Sequence, residues 1–324
     1  MKFMIAGLGS IGRRHLRNLV ALGEEDILLF RSGKSTLPDD DLLGYFTETN
    51  LDAALAHAPD AVIVSNPTAL HLDVAIPAAE AGCHLLLEKP ISHNLERINE
   101  LRAAVEQGGG KVLVGYQFRF HPGLQAVKRW LAEDRIGKPT SAHAHWGEYL
   151  PDWHPWEDYR SSYSSRADLG GGVVLTLCHP FDYLRWLLGE VDSVLGMVGN
   201  LGDLGLDVED TAEVVLKFES GALGSVHLDY YQRPATHNLD IIGTQGTIQW
   251  DNQDGVSRMY QTGTQEWEVI SHPEGFERND LFLAEMSHFI EVITGDADPV
   301  CGMQDGIRAL QIALAALNSV TTSV

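Results

Sequence analysis

Gly7, Gly9 and Gly12 fall in a Gly-Leu-Gly-Ser-Ile-Gly run, directly after the apolar segment Lys2–Ala6 and at the start of the amphipathic stretch Ile11–Leu22. Between a strand and a helix, missing β-carbons allow a tight turn and let a pyrophosphate approach the helix N-terminus. The run therefore predicts dinucleotide binding, with Ser10 and Ile11 in the same turn. In such a unit the acid that holds the ribose 2′-hydroxyl of NAD stands about 20 residues on, at the end of the second strand. Here that strand ends Phe30-Arg31-Ser32. A guanidinium offers a 2′-phosphate a two-pronged charged contact and Ser32 adds a hydroxyl, so NADP is expected, with NAD as the alternative.

Two further groups follow candidate strands. Asn66-Pro67-Thr68 and His71 come after Ala61–Ser65, and Glu88-Lys89-Pro90 comes after His84–Leu87. Carboxyl ends of parallel strands are where open α/β sheets hold ligands. A lysine before proline is confined to extended or turn backbone, which fixes its ammonium instead of letting it swing in solvent. Later, Tyr149–Arg160 is dense in aromatic rings and polar tips. Trp153 and Tyr159 suit the C–H faces of a sugar, and Arg160, with Arg119 and Arg166, suits hydroxyls or an acid group. His143 and His145 alternate on one face of a candidate strand, with His154 nearby. No cysteine or carboxylate spacing completes a ligand set, so no metal is expected.

The elements that must position these residues change character along the chain. Strands at Lys2–Ala6, Asp26–Phe30, Ala61–Ser65, His84–Leu87 and Lys111–Gly115 alternate with helices at Ile11–Leu22, Leu51–Ala58, His71–Ala81 and Leu95–Gln107, the last capped by Ser92 or Asn94. This pattern gives parallel strands joined by crossover helices. After a helix at Pro122–Glu133, strands follow one another at Thr140–Glu148, Val191–Gly199, Ala212–Phe218, Gly221–Tyr230, Asn238–Ile242, Gly246–Asp251 and Glu266–Ile270. Short gaps between them predict an antiparallel sheet, with one buried helix over Val173–Leu188 and closing helices at Asp280–Gly295 and Asp305–Ser319. The expected class is α/β: a doubly wound parallel Rossmann sheet over residues 1–120, then an α+β domain with a large, mostly antiparallel sheet over 121–324.

Composition narrows the functions. The 324 residues are 44% hydrophobic and 21% charged, an ordinary globular make-up with length for two domains. With 23 Lys+Arg against 45 Asp+Glu, the formal charge of -22 repels phosphate backbones and anionic headgroups, so neither nucleic acid nor a membrane surface is an expected partner. Three scattered cysteines make no disulfide framework, which fits a reducing cytoplasmic setting. No apolar run approaches the roughly 18 residues of a membrane span, and the mature chain is expected to begin at Met1.

Taken in order, Gly7–Gly12, Asn66-Pro67-Thr68 with His71, Ala81-Gly82-Cys83-His84 leading to Glu88-Lys89-Pro90, and Gly115-Tyr116-Gln117-Phe118-Arg119-Phe120-His121-Pro122 resemble the glucose–fructose oxidoreductase / inositol dehydrogenase (Gfo/Idh/MocA) family. The resemblance continues through Leu169-Gly170-Gly171-Gly172 to His179-Pro180-Phe181-Asp182, which is similar to the family's glycine-rich entry to a helix carrying a catalytic histidine. It implies an NAD(P)-dependent dehydrogenase of sugars, inositols or their derivatives. Lys89 and His179 would be catalytic, and Asn66, Pro67, Thr68, His71, Glu88, Lys89 and Gln117 would join the glycine turn in holding the cofactor. The chemistry is consistent: an imidazole, ordinarily titrating at about 6.5, takes the hydroxyl proton while an ammonium steadies the developing alkoxide. Where many members carry an Asp shortly before the histidine, this chain has Thr176. A helix would set Thr176 and His179 on one face, and Asp182 would supply the missing charge.

Two other functions share these motifs: an enzyme that uses NAD to assist glycosidic bond cleavage, the hydride leaving and returning within one cycle, and a dinucleotide-sensing regulatory protein without catalysis. Sensing requires neither Lys89 nor His179. The resemblance also implies a homodimer or homotetramer built on the outer face of the second sheet, where apolar residues alternating through Ala212–Phe218 and Gly221–Tyr230 need a cover.

Overall fold

A computed structural model describes residues 1–33 and 37–319. The chain forms two compact units: Met1–Gln117 with Asp168–Gly170 and Arg278–Ile307, and Phe118–Ala167 with Gly171–Glu277 and the chain from Arg308.

In the first unit, β1 (Phe3–Ala6), β2 (Ile27–Phe30), β3 (Phe46–Glu48), β4 (Ala61–Val64), β5 (His84–Glu88) and β6 (Val112–Gly115) form one sheet in the order β3-β2-β1-β4-β5-β6. Every pairing is parallel. Central strands β1 and β4 are buried throughout, which is why they read as unbroken apolar runs. Crossovers run through α1 (Ser10–Ala21), α2 (Leu51–Ala56), α3 (His71–Glu80) and α4 (Ile98–Gly108). The order reverses between β1 and β4, making the switch point at which such sheets bind ligands. Strand β3 escapes the sequence pattern because its three residues are largely exposed and carry no apolar alternation. Neither Ser92 nor Asn94 caps α4. Arg97 holds the N-cap position, and Asn94 Oδ1 instead accepts from the Glu96 N–H at 3.0 Å, a local turn that competes with helix entry.

Helix α8 (Arg278–Thr294), expected from the sequence in the second domain, packs with α1 in the first unit. Asn279 donates to Asn18 at 2.9 Å, and the Phe282 ring meets His15 edge-on.

The second unit is built on an eight-stranded sheet: β7 (Pro139–Gly147), β8 (Val191–Gly199), β9 (Thr211–Phe218), β10 (Leu223–Asp229), β11 (Thr236–Gly243), β12 (Gly246–Asp251), β13 (Val256–Gln261) and β14 (Glu266–Ser271). Their order is β14-β13-β12-β11-β7-β10-β9-β8, and only the β7–β10 pair is parallel. Strand β13 is missed from sequence because Ser257, a polar residue, takes one of its buried positions. The inner face packs against α5 (Pro122–Ala132), α6 (Val173–Thr176) and α7 (His179–Leu188); α9 (Met303–Leu317) closes the chain and is divided between the units at Ile307.

Two expectations are corrected here. Ala212, Val214, Leu216 and Phe218 are buried within the unit, so the alternation of β9 marks its inner face and calls for no outside cover. The single helix over Val173–Leu188 is two helices. Pro180 has no N–H to give the carbonyl of Thr176, so α6 ends at Thr176 and a new helix begins with His179. Thr176 and His179 therefore do not share one continuous helix face.

Candidate active site

In the first unit the predicted residues gather at the carboxyl ends of the strands. After β1, Gly7 has φ +94°, and a β-carbon there would come within 2.5 Å of the Asn66 backbone; one at Gly12 would strike the Gly7 carbonyl at 1.9 Å. A β-carbon on Gly9 would meet nothing within 4 Å among the described residues. Helix α1, with Ser10 and Ile11 in its first turn, receives no side-chain cap bond among those residues. Beside this turn, Asn66 Oδ1 is buried and makes no hydrogen bond within the described chain. Open space over Gly9 and a first helical turn without a side-chain cap fit a dinucleotide phosphate, while the orphaned Asn66 Oδ1 is an acceptor suited to a donor on the ligand, such as a ribose hydroxyl.

The other predicted contacts divide. His71 ties two strand-end loops together, its ring nitrogens 3.0 Å from the Pro90 and Asn66 carbonyls. Thr68 and Gln117 are buried, Pro67 is half-buried and Ser32 is exposed. Arg31 Nη1 lies 2.9 Å from Asp39, a residue that Arg13 also holds. Glu88 turns inward: its Oε1 lies 2.7 Å from His15 Nε2, a partner invisible in the sequence because α1 carries it. Burial opposes the Glu88 charge, but the His15 hydrogen bond and the positive groups around it hold the carboxyl below its ordinary range. Half-buried Lys89 stands at the end of β5, and its peptide bond to Pro90 is cis.

In the second unit, buried His179 is the first residue of α7. The Phe118 ring meets it edge-on at 4.9 Å, and Trp146 lies at 5.4 Å. Trp146 stacks at 4.2 Å on His237, which receives the Tyr183 hydroxyl at 3.4 Å. Burial raises the Tyr183 phenol well above its usual range, so it stays a neutral donor. Trp146 and His237 are absent from the sequence-derived set. The signal for His237 was a polar residue in register with the apolar inner face Leu239 and Ile241.

Arg119 and Asp182, both expected to face substrate, face each other. The guanidinium forks onto the carboxylate at 2.9 and 2.6 Å, with both side chains 3% exposed. Asp182 is thus committed to anchoring α7 to the segment after β6. Thr176 is buried, and Tyr230 donates its hydroxyl to the Ser164 carbonyl at 3.3 Å while its ring meets Trp153 at 5.6 Å. Tyr159 donates to the Leu204 carbonyl at 3.0 Å, and exposed Arg160 lies over the Tyr159 ring. Trp153 Nε1 is buried without a hydrogen-bond partner among the described residues.

His121 caps α5, its Nδ1 accepting from the Gly123 and Leu124 amides at 3.1 and 3.4 Å. Burial, with His272 beside it, lowers this imidazole to about 3. The unfolded chain binds that proton near 6.5, so stability is full above 6.5 and is lost as pH falls toward 3. His121→Asn keeps a capping side chain and removes the titration. Thermal melts from pH 7 to 4 should fall less steeply in this variant than in the parent, while buried His71 retains part of the slope. Equal slopes would contradict this assignment.

Residues 1–116 match the profile described as "Oxidoreductase family, NAD-binding Rossmann fold", and residues 124–249 match the GFO/IDH/MocA C-terminal domain. The chain is 29% identical over 338 residues to "Uncharacterized oxidoreductase YrbE" of Bacillus subtilis (97% of this chain, 93% of the other). It is 27% identical over 352 residues to the myo-inositol 2-dehydrogenase of Thermotoga maritima (98% and 96%). In fold it superposes on levoglucosan dehydrogenase in complex with NADH and levoglucosan with a TM-score of 0.87 at 19% identity, covering 98% and 96% of the chains. By both of its parts, the chain belongs to the Gfo/Idh/MocA family of oxidoreductases.

Proposed function

We propose that the protein is a dehydrogenase that moves a hydride between a nicotinamide cofactor, NADP in preference to NAD, and a secondary hydroxyl or carbonyl of a sugar, an inositol or a derivative of these. The observation that carries the proposal is His179, held in the first turn of α7 by the Arg119–Asp182 fork and walled by Phe118 and Trp146. When bound, the nicotinamide supplies the hydride acceptor or donor. His179 takes the hydroxyl proton during oxidation and returns it during reduction. Lys89, fixed at the end of β5, is the ammonium that favours negative charge developing on a substrate oxygen. Trp153 and Tyr159 offer ring faces to the sugar, with the Trp153 indole N–H as a donor and Arg160 at the rim.

The myo-inositol specificity named for the Thermotoga relative supports a polyol substrate. Steady-state assays of inositols and sugars with NADP+ and NAD+ test the proposal: substrate-dependent formation of reduced nicotinamide is the expected result. Substrate turnover with no net reduction would favour the alternative in which the hydride returns within each cycle.

The NADP preference rests on Arg31, with the 2′-phosphate taking the place of Asp39 at the guanidinium. A charge-assisted hydrogen bond contributes about 1.5–3 kcal/mol, so Arg31→Ala should weaken NADPH by roughly 10–100-fold and NADH by only a few-fold, read by fluorescence titration. Equal losses would remove the preference. A homodimer or homotetramer goes with this reading. Leu195 and Val215, paired on neighbouring strands, and Met197 are exposed apolar residues of the outer face, and a monomer by light scattering would remove that part.

A further inference from the structure

The outer face of the second sheet carries a cluster that the alternation of the strands builds on its own. In β7 and β10 Trp146 and Leu228 point inward, which sends His145 and His227 outward, and the two histidines are directly paired across the parallel ladder. Asp229 follows at the end of β10. One ligand atom from each of His145, His227 and Asp229 lies within 4.8 Å of the others. Asp229 Oδ2 is 3.1 Å from His227 Nε2 and 3.9 Å from His145 Nε2. Around a tetrahedral zinc with bonds of roughly 2.0–2.1 Å, neighbouring ligand atoms stand about 3.3 Å apart, so these separations need only small side-chain adjustments.

From this geometry we infer a binding site for a divalent transition-metal ion of the zinc class, held by His145 Nε2, His227 Nε2 and Asp229 Oδ2. The surroundings orient each ligand. Glu213 on β9 lies 2.6 Å from His227 Nδ1, a carboxylate partner that draws the ring proton to Nδ1 and leaves the Nε2 lone pair for a metal. Asp229 Oδ1 accepts the Tyr231 and Gln232 amides at 2.7 and 2.6 Å, which turns Oδ2 toward the histidines. His145 Nε2 is buried and has no hydrogen-bond partner among the described residues. Two imidazoles and one carboxylate suit zinc or cobalt rather than magnesium or calcium. Three protein ligands leave one position open, and His227 and Asp229 line an open cavity of about 580 Å³ together with Thr211, Tyr231, Gln232 and Arg233. The sequence pattern of His143, His145 and His154 lacks a carboxylate because the completing ligand comes from β10. His143 itself bonds Ser225 at 2.8 Å and is not a ligand.

The test uses the purified full chain, stripped by chelator, reloaded with Zn²⁺ or Co²⁺ and assayed for metal by mass spectrometry after desalting. One zinc per chain and the intense visible absorption of four-coordinate cobalt are expected. His227→Ala and Asp229→Asn should weaken affinity by about 100-fold or more, and Glu213→Gln, outside the ligand set, by roughly 10–100-fold. His143→Ala should leave affinity unchanged. No retained metal in the parent, a six-coordinate cobalt spectrum, undiminished binding in His145→Ala/His227→Ala, or an equal loss in His143→Ala would each overturn the site. The cobalt spectrum needs no variant, so a folding defect cannot mimic failure.

Discussion

Replacing His179 with asparagine is expected to lower kcat by about 10²–10⁴-fold while leaving nicotinamide binding within a few-fold of the parent. The split follows from the architecture: the residues proposed to hold the cofactor belong to the parallel-sheet unit, while His179 belongs to the antiparallel-sheet unit. A general acid–base group acts in the transition state, so its loss appears in kcat and kcat/KM together. That loss corresponds to about 3–5 kcal/mol of barrier. Cofactor titration and thermal melting of the same variant separate chemistry from folding. Retained turnover would show that another group moves the proton and would end the assignment.

The second large effect concerns stability. Arg119→Ala should destabilise the second unit by about 3–5 kcal/mol, because it strips a buried carboxylate of the guanidinium that forks onto it. Removing both charges, as in Arg119→Met/Asp182→Leu, should recover most of that loss, since well-packed apolar residues often replace a buried pair at no net cost. The expected drop in Tm for the single variant is of the order of 10 °C. Because Asp182 sits one turn beyond His179 on α7, the double variant should keep its fold yet lose activity, since apolar packing restores stability without the directional fork that orients the first turn of α7. A loss below about 1 kcal/mol for Arg119→Ala would mean the pair behaves like an exposed ion pair, contrary to its burial.

What the sequence makes legible is local. A parallel strand covered on both faces must be a continuous apolar run, so β1, β4 and β5 stand out, and the residues immediately after them are the ones an open α/β sheet presents to ligands. Gly7, Asn66 and Lys89 follow β1, β4 and β5 in that way. The break before His179 is also written in the chain, because a proline two positions into a helix cannot continue the preceding one.

What stays hidden depends on residues distant in sequence. Arg119 and Asp182 each look like a charge available to a ligand until the fold brings them together. Glu88 looks like a cofactor contact until α1 delivers His15 to it. His237 comes from a strand whose pattern alone gives no reason to set it beside Trp146 and Tyr183. Register across β7, β9 and β10 likewise gathers His145, Glu213, His227 and Asp229.

The most direct measurement of the catalytic claim is hydride transfer itself. Inositols, aldoses and anhydrosugars deuterated at their carbinol carbons would be incubated with the purified protein and NADP+ or NAD+, following both the near-ultraviolet absorbance of reduced nicotinamide and the deuterium it carries. The account predicts that at least one polyol reduces the cofactor with label transfer, and that His179→Asn abolishes both signals. A protein that binds the cofactor yet moves no label from any of these substrates, or a His179→Asn variant that moves it unimpaired, would contradict the account.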